Sequence, residues 1–363
     1  MSGYAKLRSL LPRRSLSSVR EELRRHALAC EGDGRIGDAI TAWTQLNRMQ
    51  PDVHVEEHLV DLRCGASVDP SSADRFEGNA ESSADETDPF PEVFARPPEA
   101  KAAELSADLL RRAIKHHGCL LVRGLIPTGQ ADELRVTVDR QFAAREQHLR
   151  GEAPDATTPW YVPCARWDAT APEKAKALRL FNDRTRAVHV ADSPRALFQV
   201  VDALEGSGVF EVVSEYLGER AALSVQKTML RRVPPEARPA WHQDGSFMGA
   251  QTRAVNVWVA LSSCGEGTDA PGLAILPRRI DVSIRGEVFD AKIVFNADEF
   301  ETARNGLEPV RPTFAAGDAL LFDELLAHAN GGGQPGQKRN RYALEAWMFA
   351  PSAMPSSYIP IRV

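Results

Sequence analysis

No apolar run in this chain approaches the roughly 18 residues needed to cross a bilayer, which excludes an integral membrane protein. Cysteine is scarce. The five present (Cys30, Cys64, Cys119, Cys164, Cys264) are scattered, odd in number and nowhere arranged as Cys-x-x-Cys. That argues against a disulfide scaffold or a zinc knuckle and predicts a reducing, cytoplasmic setting. Met1 to Pro12 carries basic residues but neither an uninterrupted apolar core nor a clear cleavage site, so no secretory signal is expected. An excess of positive charge is also missing. The net charge is −6, which argues against a nucleic-acid partner. No Gly-Lys-Ser/Thr occurs, and Gly331-Gly332-Gly333 lacks the spacing of a dinucleotide fingerprint, so no phosphate cradle is expected. What is present, 43% apolar and 26% charged residues over 363 positions, suits a large soluble domain with an appendage. The nine histidines carry the search for chemistry.

Three regions follow along the chain. Residues 1–65 read as helical, with helices over Ser18 to Ala29 and Ile36 to Met49, the second ending before Pro51. Ala27, Gly34, Ile36, Ala39, Trp43, Leu46 and Pro51 fall where a tetratricopeptide repeat places its small, turn, aromatic and terminating residues. This resembles one such repeat of about thirty-four residues, the alternative being a helical hairpin that meets the pattern by chance. A single repeat cannot bury its own face, so it is expected to dock on the main domain or on a partner, a second copy of the chain included. Residues 66–100 hold nine acidic side chains against Arg75 and Arg96, a balance of −7, among serines and prolines. Such a stretch reads as an acidic flexible linker.

Residues 101–363 form the main domain. Helices are expected over Ala102 to His117, Gln130 to Arg145, Arg195 to Leu204 and Val209 to Leu217, with a short β run from Cys119. From Leu223 the character is β: Ser224 to Val233, Ala254 to Leu261, Gly272 to Leu276, Ala319 to Phe322 and Tyr342 to Phe349. Helices followed by many short strands mean an α+β fold with a sandwich or jelly-roll core, and no strand–helix alternation supports a doubly wound sheet.

The sharpest feature is Trp241-His242-Gln243-Asp244-Gly245. At a strand end, a spacing of two puts the imidazole and the carboxylate on one face, half of a divalent metal site. A third ligand must come from a distant strand, and His328 is the natural candidate. It closes the segment Gly317-Asp318-Ala-Leu-Leu-Phe-Asp-Glu-Leu-Leu-Ala-His. Two histidines and one carboxylate on one face of a metal, with positions left open, are the ligands of non-heme Fe(II) oxygenases. Arg339 and Arg341 follow eleven and thirteen residues after His328, and a guanidinium there suits a buried carboxylate.

At these residues the chain resembles the phytanoyl-CoA dioxygenase branch of the Fe(II)/2-oxoglutarate oxygenases, over about residues 105–350. The likeness rests on Gln226-Lys-Thr-Met-Leu-Arg-Arg-Val-Pro, His242-Gln243-Asp244, Val255-Asn-Val-Trp258-Val-Ala-Leu, Gly317-Asp318 and His328. It implies a double-stranded β-helix (jelly-roll, cupin-like) core buttressed by helices, acting with Fe(II), 2-oxoglutarate and O2. His242, Asp244 and His328 would bind iron. Arg341 would hold the distal carboxylate of 2-oxoglutarate, and Thr228, Trp258 and Gln243 would line its pocket. The family commonly places its arginine at the position of Arg339, but Arg341-Tyr-Ala-Leu matches the family strand better and is preferred. The family's Pro-Gly-Ser-His turn appears here as Pro277-Arg278-Arg279-Ile280, a remodelled edge of the pocket. The retained Asp244 argues for oxidation and against halogenation, since related halogenases carry a small residue there. The alternative from another class is a metal-binding barrel without oxidative activity.

Other features compete for attention. His54-Val-Glu-Glu57-His58 matches an inverted zinc-peptidase pattern, but a solvated helix face is expected instead. His116-His117 and His189 read as structural. Gly151 to Lys176, with Trp160, Tyr161 and Trp167, reads as a lid over the iron or as packing on the barrel. Arg231, Arg232, Arg253, Arg278 and Arg279 would form a basic mouth where they point inward. The expected substrate is a small or carrier-bound molecule.

Overall fold

The computed structural model describes residues 16–65, 87–249, 251–284 and 294–363. Met1 to Pro12 and residues 66–86 of the acidic segment lie outside the described residues. The amino-terminal part is three helices rather than a hairpin: α1 (Leu16–Gly32), α2 (Ile36–Met49) and α3 (Val53–Gly65). Trp43, Leu46, Ala27, Val55 and Leu59 close a small core among them, against which Phe198 of the main domain packs. The domain's own helices are α4 (Ala107–His117), α5 (Thr128–Leu149), α6 (Pro154–Thr157), α7 (Ala165–Thr170), α8 (Pro172–Arg184), α9 (Pro194–Gly206), α10 (Val209–Leu217), α11 (Gly245–Met248) and α12 (Ala297–Arg304). The strands are β1 (Glu99–Lys101), β2 (Cys119–Arg123), β3 (Ala187–His189), β4 (Leu223–Ser224), β5 (Thr228–Val233), β6 (Ala254–Ala260), β7 (Leu273–Ile275), β8 (Ala319–Asp323), β9 (His328–Asn330), β10 (Arg341–Phe349) and β11 (Pro360–Ile361).

The amino-terminal helices are seated on α9. Arg48 of α2 reaches Asp202 at 2.5 Å and Glu205 at 2.8 Å, and Arg195 reaches Glu56 of α3 at 2.5 Å. Buried Arg63 donates to the Arg362 carbonyl near the end of the chain. The acidic segment is anchored at its far end. Asp88 accepts from the Phe90 amide and pairs with His117, and Glu99 already lies in β1. The helix expected from Ala102 starts at Ala107, because the Ser106 hydroxyl accepts from the Leu109 amide as an N-cap. It ends at Gly118, whose φ of +80° suits the left-handed cap.

The main sheet runs β1-β2-β8-β6-β10-β5-β3, and its two faces bury different cores. On β6, Val255, Val257 and Val259 join Leu230, Leu321, Leu344 and Ala346 against the helices. The alternate positions Ala254, Trp258 and Ala260 join Phe314, Leu320, Phe322, Trp347 and Phe349 inside the barrel. Both faces are covered, which is why β6 is apolar at every position but Asn256. The opposing sheet is small. β7 pairs with β9, and isolated bridges add His242 beside His328 and Val310 beside Ile275. Together the two sheets make the expected double-stranded β-helix, with helices on one side.

Candidate metal centre and cosubstrate pocket

The small sheet brings the metal-binding candidates together. His242 and His328 exchange backbone hydrogen bonds of 3.1 and 3.0 Å, which sets their rings 4.3 Å apart between centroids. His328 Nε2 stands 3.6 Å from Asp244 Oδ2, and one ligand atom from each of the three residues lies within 4.8 Å of the others. Each ring is oriented from behind. His242 Nδ1 bonds the Ala240 carbonyl at 2.7 Å and His328 Nδ1 the Leu326 carbonyl at 3.1 Å. A carbonyl only accepts, so both Nδ1 atoms carry the proton and both Nε2 lone pairs face the centre, the tautomer a metal needs. Burial and the charge of His328 push His242 down to about 4, against the opposing pull of Asp244. Burial works against ionising Asp244, but Lys227, His328 and His242 more than offset it, so the carboxyl stays below its usual range. Two imidazoles with their Nδ1 atoms bonded to backbone carbonyls, beside an anionic carboxylate, form a donor set that fits a divalent ion. Gly245 follows Asp244 where its amide donates to the Glu324 carbonyl at 2.8 Å; a Cβ there would stand 3.1 Å from that oxygen.

Arg341 opens β10 and is wholly buried. Its guanidinium donates to the Gly272 carbonyl at 2.7 Å and to Asn330 Oδ1 at 2.9 Å, its Nε has no partner, and it forms no ion pair among the described residues. Burial pushes it down to about 10, so it remains a cation at neutral pH. The Trp258 ring lies 5.5 Å from Cζ, and the indole N–H is likewise buried without an acceptor. An unpaired buried cation beside two unused donors is costly unless an anion comes in. Asn330 and His328 share one face of β9 two residues apart, about 7 Å at the strand rise. That separation suits a five-carbon diacid with one end on the metal and the other on the guanidinium.

The remaining candidates fall elsewhere. Arg339 is a surface residue, its side chain 74% exposed and 3.9 Å from Asp269. Gln243 is buried, but its amide is fully used on backbone. It donates to the carbonyls of Leu325 at 2.7 Å and Val282 at 3.3 Å and accepts from the Ile284 amide at 2.8 Å. It braces the loop that carries His242 and Asp244, its amide already committed to backbone where the sequence suggested a pocket-lining side chain. Thr228 is also corrected. It pairs with Ala346, whose side chain lies on the helix side, so Thr228 faces away from the barrel interior. Its neighbour Lys227 faces inward instead, with Nζ 3.7 Å from Asp244 Oδ1 and 3.9 Å from the Phe247 ring centre. Sequence reasoning missed Lys227 and Asn330; the His328-x-Asn330 spacing was the one available signal for the latter.

The decoys separate cleanly. His54 is exposed and His58 pairs with Glu31 at 2.9 Å, away from the one three-ligand cluster found among the described residues. The aromatics of Gly151 to Lys176 pack and do not line the metal site: Trp167 is buried against His189 and Arg179, and Trp160 lies under Arg140 and Arg195. Of the five arginines proposed for a basic mouth, Arg231 pairs with Glu345 on the barrel side, whereas Arg232 bonds Asp139 and Arg253 bonds Glu219.

A double-stranded β-helix holding two histidines and a carboxylate, with a buried arginine set apart for an acid, defines the class of iron- and 2-oxoglutarate-dependent oxygenases. The chain belongs to the phytanoyl-CoA dioxygenase (PhyH) family, whose sequence profile matches residues 114–340. Fe(II) is the cofactor and 2-oxoglutarate and O2 are the cosubstrates of this family. No curated protein matches the chain by sequence. Solved structures similar to it include SnoK, a non-heme alpha ketoglutarate dependent carbocyclase from nogalamycin biosynthesis, at 14% identity and a TM-score of 0.44. That match covers 69% of this chain and 86% of the other. EctD from S. alaskensis, solved with 2-oxoglutarate and 5-hydroxyectoine, is 18% identical over 67% of this chain and 76% of its own, with a TM-score of 0.44. The non-heme monooxygenase ThoJ is 18% identical over 70% and 84%, with a TM-score of 0.42. Among the described residues no helix is long and apolar enough to cross a membrane.

Proposed function

We propose that this oxygenase hydroxylates, or otherwise oxidises, an unactivated C–H bond of a small-molecule or carrier-bound substrate in specialised metabolism. The observation that carries the reading is the sharing of β9 by metal ligand and anion site. His328 joins His242 and Asp244, and two residues on, Asn330 steadies the unpaired guanidinium of Arg341. In this reading His242, Asp244 and His328 hold Fe(II), and Arg341 with the Trp258 N–H receives 2-oxoglutarate. When bound, iron would activate O2 as the oxidant: 2-oxoglutarate would give two electrons and take one oxygen atom as it becomes succinate and CO2, and the substrate C–H bond would give the other two.

The protein's part is orientation and exclusion of water. The Ala240 and Leu326 carbonyls fix both imidazole tautomers, and Gln243 locks the loop that carries His242 and Asp244. Phe314, Phe322 and Trp347 wall the interior with apolar surface. The Asp244 carboxylate occupies the position a halide would need, which supports oxidation over halogenation. Anaerobic addition of Fe(II) and 2-oxoglutarate to the full chain is expected to give a weak visible charge-transfer band, and His242→Ala to remove it. A fully iron-loaded protein without the band, or His242→Ala binding iron as the native chain does, overturns the proposal.

A further inference from the structure

Strand register sorts the barrel interior into rows. Lys227, Trp347, Asn256 and Phe322 form one row across β5, β10, β6 and β8: Trp347 pairs with Asn256, Asn256 with Phe322, and the Trp347 amide donates to the Lys227 carbonyl. This row underlies the metal ligands, with Phe322 5.0 Å from the His328 ring and Lys227 beside Asp244. The next row holds Glu345 and Trp258, and Arg341 lies further along β10. The interior therefore has a cosubstrate end around Arg341 and an opposite end around Lys227.

Charge at the Lys227 end does not balance once the site is loaded. Glu345 is occupied by Arg231 at 2.5 Å. Asp244 is the other acid near Lys227, and a divalent ion claims it. Two-oxoglutarate brings two negative charges, one for the metal and one for Arg341. Lys227, its side chain only 14% exposed, then keeps an ammonium whose one nearby carboxylate, Asp244 at 3.7 Å, has been taken by the metal. In the same row Asn256 Oδ1 is buried and accepts no hydrogen bond. A largely enclosed cation and a buried spare acceptor in the row beneath the metal ligands mark a place for a polar ligand group.

Resting on the oxygenase reading, we propose that the substrate carries a carboxylate close to the oxidised carbon, that Lys227 anchors this carboxylate, and that Asn256 accepts from a hydroxyl or amine of the same molecule. The surplus is a single charge, which a carboxylate matches. A phosphate monoester at neutral pH brings about −1.5 to −2 and over-compensates it. Phe247, lying under the ammonium, narrows its approach to one side.

The test uses the full chain loaded anaerobically with Fe(II) and 2-oxoglutarate, so that binding is read without turnover. A panel of small carboxylates from acetate to cyclohexanecarboxylate and phenylpropanoate, each beside its neutral primary amide, is titrated by calorimetry. At least one carboxylate is expected to bind about tenfold or more tighter than its amide, the least that an interaction with a buried charge contributes. Lys227→Met removes that preference, Lys227→Arg retains it, and both keep the 2-oxoglutarate dissociation constant within about threefold of the native chain. Equal binding of acids and amides by a protein that shows the charge-transfer band overturns the proposal and leaves the oxygenase reading intact. A tenfold loss of 2-oxoglutarate affinity in Lys227→Met also overturns it, by assigning the lysine to the cosubstrate. Absence of the band in the native protein overturns the oxygenase reading and this proposal with it.

Discussion

Arg341→Leu should separate stability from cosubstrate binding. The native guanidinium is buried with no acid beside it, held by one backbone carbonyl and one side-chain amide. Its removal leaves the Gly272 carbonyl and Asn330 Oδ1 unpaired, at about 1–3 kcal/mol each. It also relieves the desolvation of an unpaired charge, a penalty of several kcal/mol. Leucine fills part of the vacated volume against Trp258, so the net change in unfolding free energy should stay within about 2 kcal/mol. Binding behaves differently. Truncating one side of a buried, hydrogen-bonded charge pair costs about 2–5 kcal/mol, or roughly 30-fold to several-thousand-fold in dissociation constant. Anaerobic titration of the charge-transfer band reads that constant directly, and urea unfolding of the metal-free protein reads stability. Arg339→Leu, on the exposed loop, should change neither. If Arg341→Leu binds 2-oxoglutarate within threefold of the native chain, Arg341 is not the carboxylate site. If it unfolds, the charge was compensated by something other than the bonds described.

Three further outcomes follow from the geometry. His189 is buried, accepts from the Asn182 amide at 2.8 Å and donates to the Val225 carbonyl, an arrangement open only to the neutral ring. Burial pushes it down to about 4. The unfolded chain, near pH 6.5, takes up this proton first, so its stabilisation is complete above pH 6.5 and is lost as pH falls toward 4, by about 3 kcal/mol. His189→Gln, which accepts from Asn182 without titrating, should flatten that part of the urea-midpoint curve; an unchanged slope refutes the assignment. Gln243→Ala should weaken iron binding about tenfold, the effect of losing the support behind metal ligands, while the charge-transfer maximum stays in place. Arg195→Met should strand the buried Glu56 carboxylate, at roughly 3 kcal/mol, and make residues 16–65 more sensitive to limited proteolysis at unchanged iron affinity.

The metal centre was legible because its chemistry demands a local pattern: His242 and Asp244 sit two apart, and His328 follows a strand whose apolar run is long enough to recognise. The α2 helix and α10 were legible in full for the same reason, each having an amphipathic stripe and a clear stop. The parity of β5 was not. Thr-Met-Leu-Arg-Arg-Val has no clean alternation, because one face packs on helices while the other holds a charged interior, so nothing local tells Lys227 from Thr228. Strands of three residues such as β3 and β9 are created by their partners and carry no pattern of their own. The third amino-terminal helix has apolar residues on several sides, since it is buried between α2 and α9, and so it lacks a single stripe. The aromatics of Gly151 to Lys176 looked available for a ligand because composition cannot show that Arg179, Arg140 and Arg195 already cover them.

The choice between Arg339 and Arg341 shows what decides such a case. Counting residues from His328 favours Arg339, since a fixed count presumes a fixed turn. Here the turn contains Gly331-Gly332-Gly333, and a Cβ on Gly332 would collide with the Ala237 carbonyl oxygen, so the chain leaves β9 along a path closed to larger residues. Beyond it, the Arg339 amide donates to the Asp269 carbonyl at 2.9 Å, which holds that residue in the loop. Pairing with β5 begins only at Arg341, opposite Val233, and pairing is what turns alternate side chains into the barrel. The inward-facing, buried position is therefore set by where the ladder starts, and the count from His328 follows from the turn. An arginine two residues earlier, however well its spacing agrees, stays in solvent.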